Sequence, residues 1–488
     1  MYVGIDLGTS SVKLLLCDEA GKVVSEVTKE YAMTMPKPSW AEQDPIDWWI
    51  QTKDGLQELS ALFPGQINAI SFSGQMHGLV ILDERDQIIR PAILWCDQRT
   101  QLECDFLNQK IGRNMLVSWV GNQALTGFTA PKLLWLRKHE PENFRRIHKI
   151  MLPKDYIQYR LTKVFASDVS DASGTLMMDV KCKKWSKNML QVLGIEESQI
   201  PMLYESTQIT GTVLPDLAQE LGLSENTVIV AGAGDQAAGA VGVGVVQPGV
   251  LSVALGTSGV VFLPCDEYSA DAYARLHSFA HANGKYHQMG VVLSAAGALK
   301  WWLEKVNESH NYQKMVEEQA AASKADSLYF LPYLIGERTP VNDSDARGCF
   351  IGLNLTHCKG DMTRAVLEGV SFALRESFEI IKEMKQPIHE IRISGGGSNS
   401  VLWKQMLADI FQLPVTAIKT TQGPAYGAAI LAYAGISGMD LESVCKSWIK
   451  TSETYHPNPA LQQKYNEKFQ VYQSLYPALQ SVFKKLGD

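Results

Sequence analysis

A chain of 488 residues is too long for one hydrophobic core and predicts two domains of roughly 200–250 residues. A hydrophobic share of 45%, a charged share of 20% and a net charge of −7 describe an ordinary globular protein. They exclude the basic face that a nucleic-acid or anionic-membrane partner requires. Eight cysteines, several in apolar runs and none in a Cys-x-x-Cys pair, predict reduced thiols in a cytoplasmic protein. The N-terminus enters a strand directly, so no signal peptide is expected. The longest apolar region, 229–263, is broken by glycines, Asp235 and Pro248, and is not a membrane span.

Residues 2–31 read as three strands joined by tight turns. The first carries Asp6 and turns through Gly8, Thr9 and Ser10; the second turns at Asp18–Gly21. Asp44 before Pro45 is an N-cap with proline at N1, opening a helix that carries Trp48, Trp49 and Leu56. Ile67–Ser73 is a buried strand ending in Gly74-Gln-Met-His-Gly78. Leu79–Asp83 and Ile88–Leu94 flank a polar turn and lead to Trp95-Cys-Asp-Gln-Arg99. A helix follows Phe128-Thr-Ala-Pro131, whereas Pro153-Lys-Asp155 and Asp168–Thr175 read as loops.

Val228–Ala231 is an apolar strand that runs into Gly232-Ala-Gly-Asp-Gln-Ala-Ala-Gly239. Pro248-Gly249 marks the boundary between domains 1–245 and 246–488, because a second copy of the opening pattern begins at once. That copy is Ser252-Val-Ala-Leu-Gly-Thr-Ser-Gly259, a strand, a Gly-Thr-Ser turn and another strand. Beyond it come an Asn283-Gly284 hairpin, a helical segment around Trp301, a helix over 361–385, a strand over 389–394 and Ser394-Gly-Gly-Gly-Ser-Asn-Ser400. A helix over 401–411 and the Gly- and Ala-rich stretch Gly423–Ala434 follow. The tail sets Leu461, Tyr465, Phe469, Tyr472, Tyr476 and Leu479 at helical spacing.

Two Gly-Thr-Ser turns supply what a phosphate cradle needs, small residues for close backbone approach and hydroxyl donors. Each turn alone is equally a local device, since Gly, Ser and Asp dominate turns. No Gly-x4-Gly-Lys-Ser/Thr loop is present, so a nucleotide would not be held by a P-loop. Gly232–Gly239 approaches a dinucleotide fingerprint, but Asp235 would repel a pyrophosphate there, and residues 242–265 lack the acid that grips ribose. Asp235 reads instead as a general base at a helix start, or as an N-cap. Gln75, Met76 and His77, with Trp95–Arg99, close two strands where polar side chains suit a polyol; a lone histidine is also commonly structural. His277, His281 and His287 fall on strands, which excludes a helical metal motif. Gly395–Gly397 offers open backbone to a base or ribose.

In these motifs the chain resembles the FGGY-type carbohydrate kinases of the actin/hexokinase/Hsp70-like superfamily over nearly its whole length. The stretch from Gly127 to His139, and Gly348-Cys-Phe-Ile-Gly-Leu353 with Asp361–Glu368, carry the two family signatures. Gly74–Gly78, Trp40–Asp44, Leu152–Asp155 and Gly336-Glu-Arg-Thr-Pro340 resemble the members that phosphorylate the C5 hydroxyl of D-xylulose. Glycerol-specific members resemble Gln-Arg-Glu where this chain has Gln75-Met-His77.

The resemblance implies an α/β fold of two duplicated actin/hexokinase-like (ribonuclease H-like) ATPase domains flanking a catalytic cleft. It implies ATP and Mg²⁺ as cosubstrate and cofactor, a small ketose as substrate, and a homodimer. Asp235 is implied as catalytic base, Asp6 as the second catalytic acid and metal organiser, and Met76, His77, Asp235 and Gln236 as sugar contacts. Thr9, Ser10, Lys13, Gly256, Thr257, Gly396, Gly397 and Ser400 are implied as ATP contacts. Cys96 and Gln236 stand where asparagine is expected, and Ser400 where many relatives have asparagine. Another ketose or polyol kinase, and an actin-like ATPase without a sugar substrate, remain alternatives.

Overall fold

The computed structural model describes residues 1–419 and 422–487. Its first sheet is built on β1 (Tyr2–Leu7), β2 (Ser11–Cys17), β3 (Val23–Glu30), β4 (Ala69–Gly74) and β5 (Val228–Gly234). The second is built on β6 (Gly249–Leu255), β7 (Gly259–Cys265), β8 (Tyr286–Val292), β9 (Ile388–Ser394) and β10 (Val415–Ile418).

The two sheets share one topology, to which the second adds an edge strand, His277–Ala280, beside β8. In the first, β1–β2–β3 is an antiparallel meander and β4 and β5 add in parallel beside β1. In the second, β6–β7–β8 is the meander and β9 and β10 add in parallel beside β6. Even the outer antiparallel strand recurs, as Ile209–Thr212 on β5 and Thr451–Tyr455 on β10. The duplication expected from the paired turns therefore extends to whole sheets.

Alternation along β1 sets the layers. Val3, Ile5 and Leu7 pack with Trp48, Leu56 and Leu59 of α1 (Pro45–Leu62), whose N-cap Asp44 accepts from Ile46 N at 2.9 Å as expected. The opposite face is covered by α2 (Asp235–Gly242) and, from the far end of the chain, by α4 (Gly423–Ser437), while α3 (Lys359–Glu383) backs the second sheet. The approach of α4 is too close for side chains: a Cβ on Gly4 would lie 2.0 Å from the Ala425 carbonyl oxygen, and one on Gly427 would lie 1.8 Å from that of Ala238. The glycines and alanines of 423–434 are what allow this crossing.

Two expectations fail. Pro153-Lys-Asp155 is the first turn of a helix, Pro153–Thr162, not a loop. Asp168–Thr175 is a short capped helix, Val169–Ala172 with a further 3₁₀ turn, and is wholly buried. Both look like loops in the sequence because their polar residues face one another inside the fold, where Lys154 meets Asp155 and Asp168. All eight cysteines are unpaired, and no described helix is long and apolar enough to cross a membrane.

Candidate active site

Three parallel strands of the first sheet end side by side, with Leu7 beside Gly74 and Gly74 beside Gly234. Their continuations deliver the Gly8–Ser10 turn, Gln75–His77 and Asp235 to one edge of the cleft, as the carboxyl ends of parallel strands do in open α/β sheets. Gln75 N donates to Leu7 O at 2.8 Å, locking two of these ends together.

Asp6 is paired in register with Lys13 and Ser73, and accepts from Ser73 Oγ at 2.8 Å. Burial raises its pKa to about 6 against the opposing effects of Ser73 and Lys13. Lys13 is itself engaged elsewhere, with Glu26 at 3.5 Å and with Gln422 Oε1 at the start of α4. Asp235 occupies the first turn of α2, where Gly234 is the N-cap, so the capping explanation for this aspartate is excluded. Burial, and then the charge of Asp6, push its pKa up to about 7 against hydrogen bonding by Gln236. Two carboxylates thus face one cleft with little positive charge to balance them. That donor set fits a hydrated divalent cation shared with phosphate oxygens, although no group of three metal-ligating side chains exists among the described residues.

Beside Asp235, a second set of groups packs together. Met76 is buried against Gly234 and Gly174, where a Cβ would meet its thioether at 3.0 and 2.9 Å. His77 holds a left-handed backbone, φ 70°, and its carbonyl is fixed by Thr129 Oγ1 at 3.0 Å and Lys132 Nζ at 2.8 Å. Lys132 is fully buried, and burial lowers its ammonium to about 7. The His77 ring is held well below the ordinary histidine range by burial, opposed by a contact with Gly174 O and reinforced by the charges of Lys132, His277 and Arg338. A carbonyl only accepts, so at 2.6 Å from Gly174 O the Nδ1 carries the proton and Nε2 is left as an acceptor. Phe128 stands 4.7 Å from His77 and 5.6 Å from His277, which joins the two sheets' residues around one pocket.

The second Gly-Thr-Ser turn faces solvent at Thr257 and is braced from behind, where Thr257 O accepts from Ala295 N at 2.9 Å and Gly297 N at 3.1 Å. Gly395–Gly397 lies against it: a Cβ on Gly395 would come within 2.6 Å of Leu255, and one on Gly397 within 2.7 Å. Gly396 has nothing within 4 Å and leaves its face open. Ser400 is a helix cap, accepting from Trp403 N at 3.0 Å and donating to Glu317 at 2.5 Å.

The structure brings together Asp6, Asp235, Gln236, Met76, His77 and the first turn, and separately Gly256, Thr257, Gly396 and Gly397. Trp95–Arg99 divides. Trp95 Nε1 donates to Thr9 Oγ1 at 2.9 Å, whereas Asp97 and Arg99 pair at 2.6 Å beneath Trp40. Sequence reasoning missed a buried network behind Asp235. Lys154 reaches Asp155 at 2.7 Å and Asp168 at 2.9 Å, Asp168 accepts from Ser170 Oγ at 2.6 Å, and Ser170 Oγ accepts from Gly234 N at 3.1 Å. Its signal was present in two polar segments, Lys154-Asp155 and Asp168–Asp171, but only the fold joins them.

Two α/β lobes of one topology, each opening a Gly-Thr-Ser turn onto a cleft shared with paired carboxylates, define an actin/hexokinase-like ATPase fold. Residues 1–242 match the N-terminal domain and residues 251–436 the C-terminal domain of the FGGY family of carbohydrate kinases. The chain belongs to that family. It is 43% identical over 436 residues to a xylulose kinase of Escherichia coli (strain K12), covering 88% of this chain and 89% of that one. The crystal structure of a xyloylose kinase from Brucella ovis superposes with a TM-score of 0.94 at 39% identity, covering 99% of both chains. A gluconate kinase from Lactobacillus acidophilus superposes with a TM-score of 0.95 at 28% identity, again over 99% of both chains.

Proposed function

We propose that the protein is an ATP-dependent kinase that converts D-xylulose to D-xylulose 5-phosphate. The observation that carries this reading is Asp235, a carboxylate raised to about 7 at the first turn of α2, beside Asp6 and the Met76–His77 pocket. Similarity to xylulose kinases over most of the chain supports the choice of sugar. Residues 1–245 hold the acceptor and the base, and residues 246–488 hold most of the nucleotide.

Asp235 takes the proton of the C5 hydroxyl as that oxygen attacks the γ-phosphorus; the bond to the β-phosphate oxygen breaks and ADP leaves. A base with a pKa near 7 suits this transfer, because it is ionised at neutral pH yet still basic enough to accept the proton. Gln236 and the bare Nε2 of His77 bind sugar hydroxyls, while Met76 walls the pocket. The N–H groups and hydroxyls of Thr9, Ser10, Gly256 and Thr257 meet the phosphates, with Lys13 near the first turn. Gly396 and Gly397 lie against the adenosine, and Ser400 supports their turn. Magnesium, held through Asp6 when bound with ATP, supplies positive charge to the phosphates.

A coupled ADP-release assay over ketoses, aldoses, polyols and sugar acids tests the reading. D-Xylulose is expected to give the highest kcat/KM. ATP hydrolysis indifferent to every sugar would assign the chain to the actin-like ATPases without an acceptor, and a clear preference for another compound would replace the sugar.

A further inference from the structure

One arginine of the second half stands apart from the others. Arg99 pairs with Asp97 and Glu42, Arg275 with Asp271 and Glu383, Arg364 with Glu368 and Arg375 with Glu379. Among the described residues, the half-buried guanidinium of Arg338 has no hydrogen bond and no ion pair, and leaving such a cation in a cleft unpartnered is costly unless a ligand completes it.

Its position is fixed by its neighbours. Glu337 is buried and its Oε1 accepts from Leu293 N at 2.8 Å and from Arg338 N at 2.7 Å. Thr339 is buried on the same sheet, with its N donating to Val291 O at 3.0 Å and its hydroxyl accepting from Val291 N at 3.1 Å. Arg338 is therefore clamped at the end of β8, and β8 at that point is paired with Gly259, immediately after the second Gly-Thr-Ser turn. The charge of Arg338 falls on His77 and on His277. His277 stacks on Phe279 at 5.4 Å and shares Phe128 with His77. The charge that acts on Asp235 comes instead from Asp6. Arg338 thus comes from the end of β8, and Asp235 from the first turn of α2.

We infer that Arg338 is a specificity-determining contact, donating to the C2 carbonyl and C1 hydroxyl at the end of the ketose remote from the reacting C5. A guanidinium fork presents two parallel N–H donors, which match two adjacent oxygens better than an ammonium does. Because Arg338 comes from the second half and His77 from the first, the acceptor touches both halves at once. The inference rests on the sugar-kinase reading of this pocket.

The test compares Arg338→Met and Arg338→Lys with the unaltered protein, using D-xylulose and its carbonyl-free analogue xylitol as acceptors. In Arg338→Met, KM for D-xylulose is expected to rise about tenfold or more while KM for ATP stays within about twofold. The preference for ketose over polyol, as a ratio of kcat/KM values, is expected to collapse, and Arg338→Lys to restore part of it. An unchanged KM for D-xylulose overturns the inference. So does an equal loss with ketose and polyol, or a rise in KM for ATP alone, since both mark a packing role. If the unaltered protein acts on no ketose, the sugar assignment fails first. The same comparison on its true acceptor and that acceptor's reduced form then decides Arg338.

Discussion

The two Gly-Thr-Ser turns are copies that have been put to different uses. Aligned, Asp6-Leu-Gly-Thr-Ser10 stands against Ala254-Leu-Gly-Thr-Ser258, so the carboxylate of the first is a methyl group in the second. The first turn is one residue longer, since Leu7 pairs with Val12 while Leu255 pairs with Gly259. It is also tied into its own lobe: the Thr9 hydroxyl accepts from Trp95, Thr9 O accepts from Gln43 at 2.6 Å, and Gly8 O accepts from Tyr31 at 2.6 Å. In the second turn the Thr257 hydroxyl makes no hydrogen bond within the described residues and faces the cleft. The chain carries the turn twice, but a carboxylate stands beside only one copy, the copy that the proposed function assigns to the cation. On the proposed reading, a second carboxylate opposite would repel the phosphates.

That asymmetry can be broken in several ways. The largest effect is expected outside both turns, at Asp235. Asp235→Ala should lower kcat by about 10³–10⁴ through loss of the base, read in the ADP-release assay. Its folded pKa is raised, so ionised Asp235 destabilises the fold increasingly as pH climbs from the unfolded carboxylate value to about 7. Asp235→Asn should therefore melt higher than the unaltered protein at pH 8, even though it is inactive; an equal or lower melting temperature would contradict the burial argument.

Asp6→Asn should cost about 10²–10³ in kcat, the range for removing one preorganised electrostatic group. Moving the charge to the other turn, as Asp6→Asn with Ala254→Asp, should give no rescue and should weaken ATP binding further. Recovery of activity would show that the turns are interchangeable. The pH profile gives the next effect. Free-enzyme kcat/KM should fall about tenfold per unit below a pH of about 7, because Asp235 must be ionised to act. A profile flat down to pH 5 would remove it from the base role. The smallest effects belong to the hydroxyls. Thr257→Val should raise KM for ATP about fivefold, a hydrogen bond's worth. Thr9→Val should change it less, since its hydroxyl already serves Trp95.

The opening sheet was readable because its signals are local. Alternation marks β1 to β3, the Asp44-Pro45 pair starts α1, and small residues mark both turns. Asp235 stands out in the sequence as a candidate, because a carboxylate inside a glycine-rich strand-to-helix turn is a poor choice for most other purposes. What escaped depended on partners far along the chain. Lys154 and Asp155 look like loop residues until Asp168 meets them from a separate segment. Asp97 and Arg99 look free to bind a polyol until they are seen to satisfy each other. Arg338 sits inside the Gly336–Pro340 segment as an unremarkable residue, and only β8 and the position of His77 give it a direction. Composition also hid α4: a Gly- and Ala-rich stretch carries little periodic signal, because its small residues answer to a neighbouring helix and strand.

The placement of α4 has a consequence for how the chain reaches this state. Strand β1 is synthesised long before α4, yet one face of it is closed by Ala425 and Ala429, more than four hundred residues later. Tyr426 and Trp448 likewise bond to the carbonyls of Gly21 and Glu19, beside the first hairpin. During translation the opening sheet therefore waits with an apolar face uncovered until the last quarter of the chain arrives. Contacts of such long sequence separation form slowly and leave the nascent chain open to association. A fragment ending near residue 245 should remain in that waiting condition, and supplying residues 246–488 as a separate chain should be what restores its solubility.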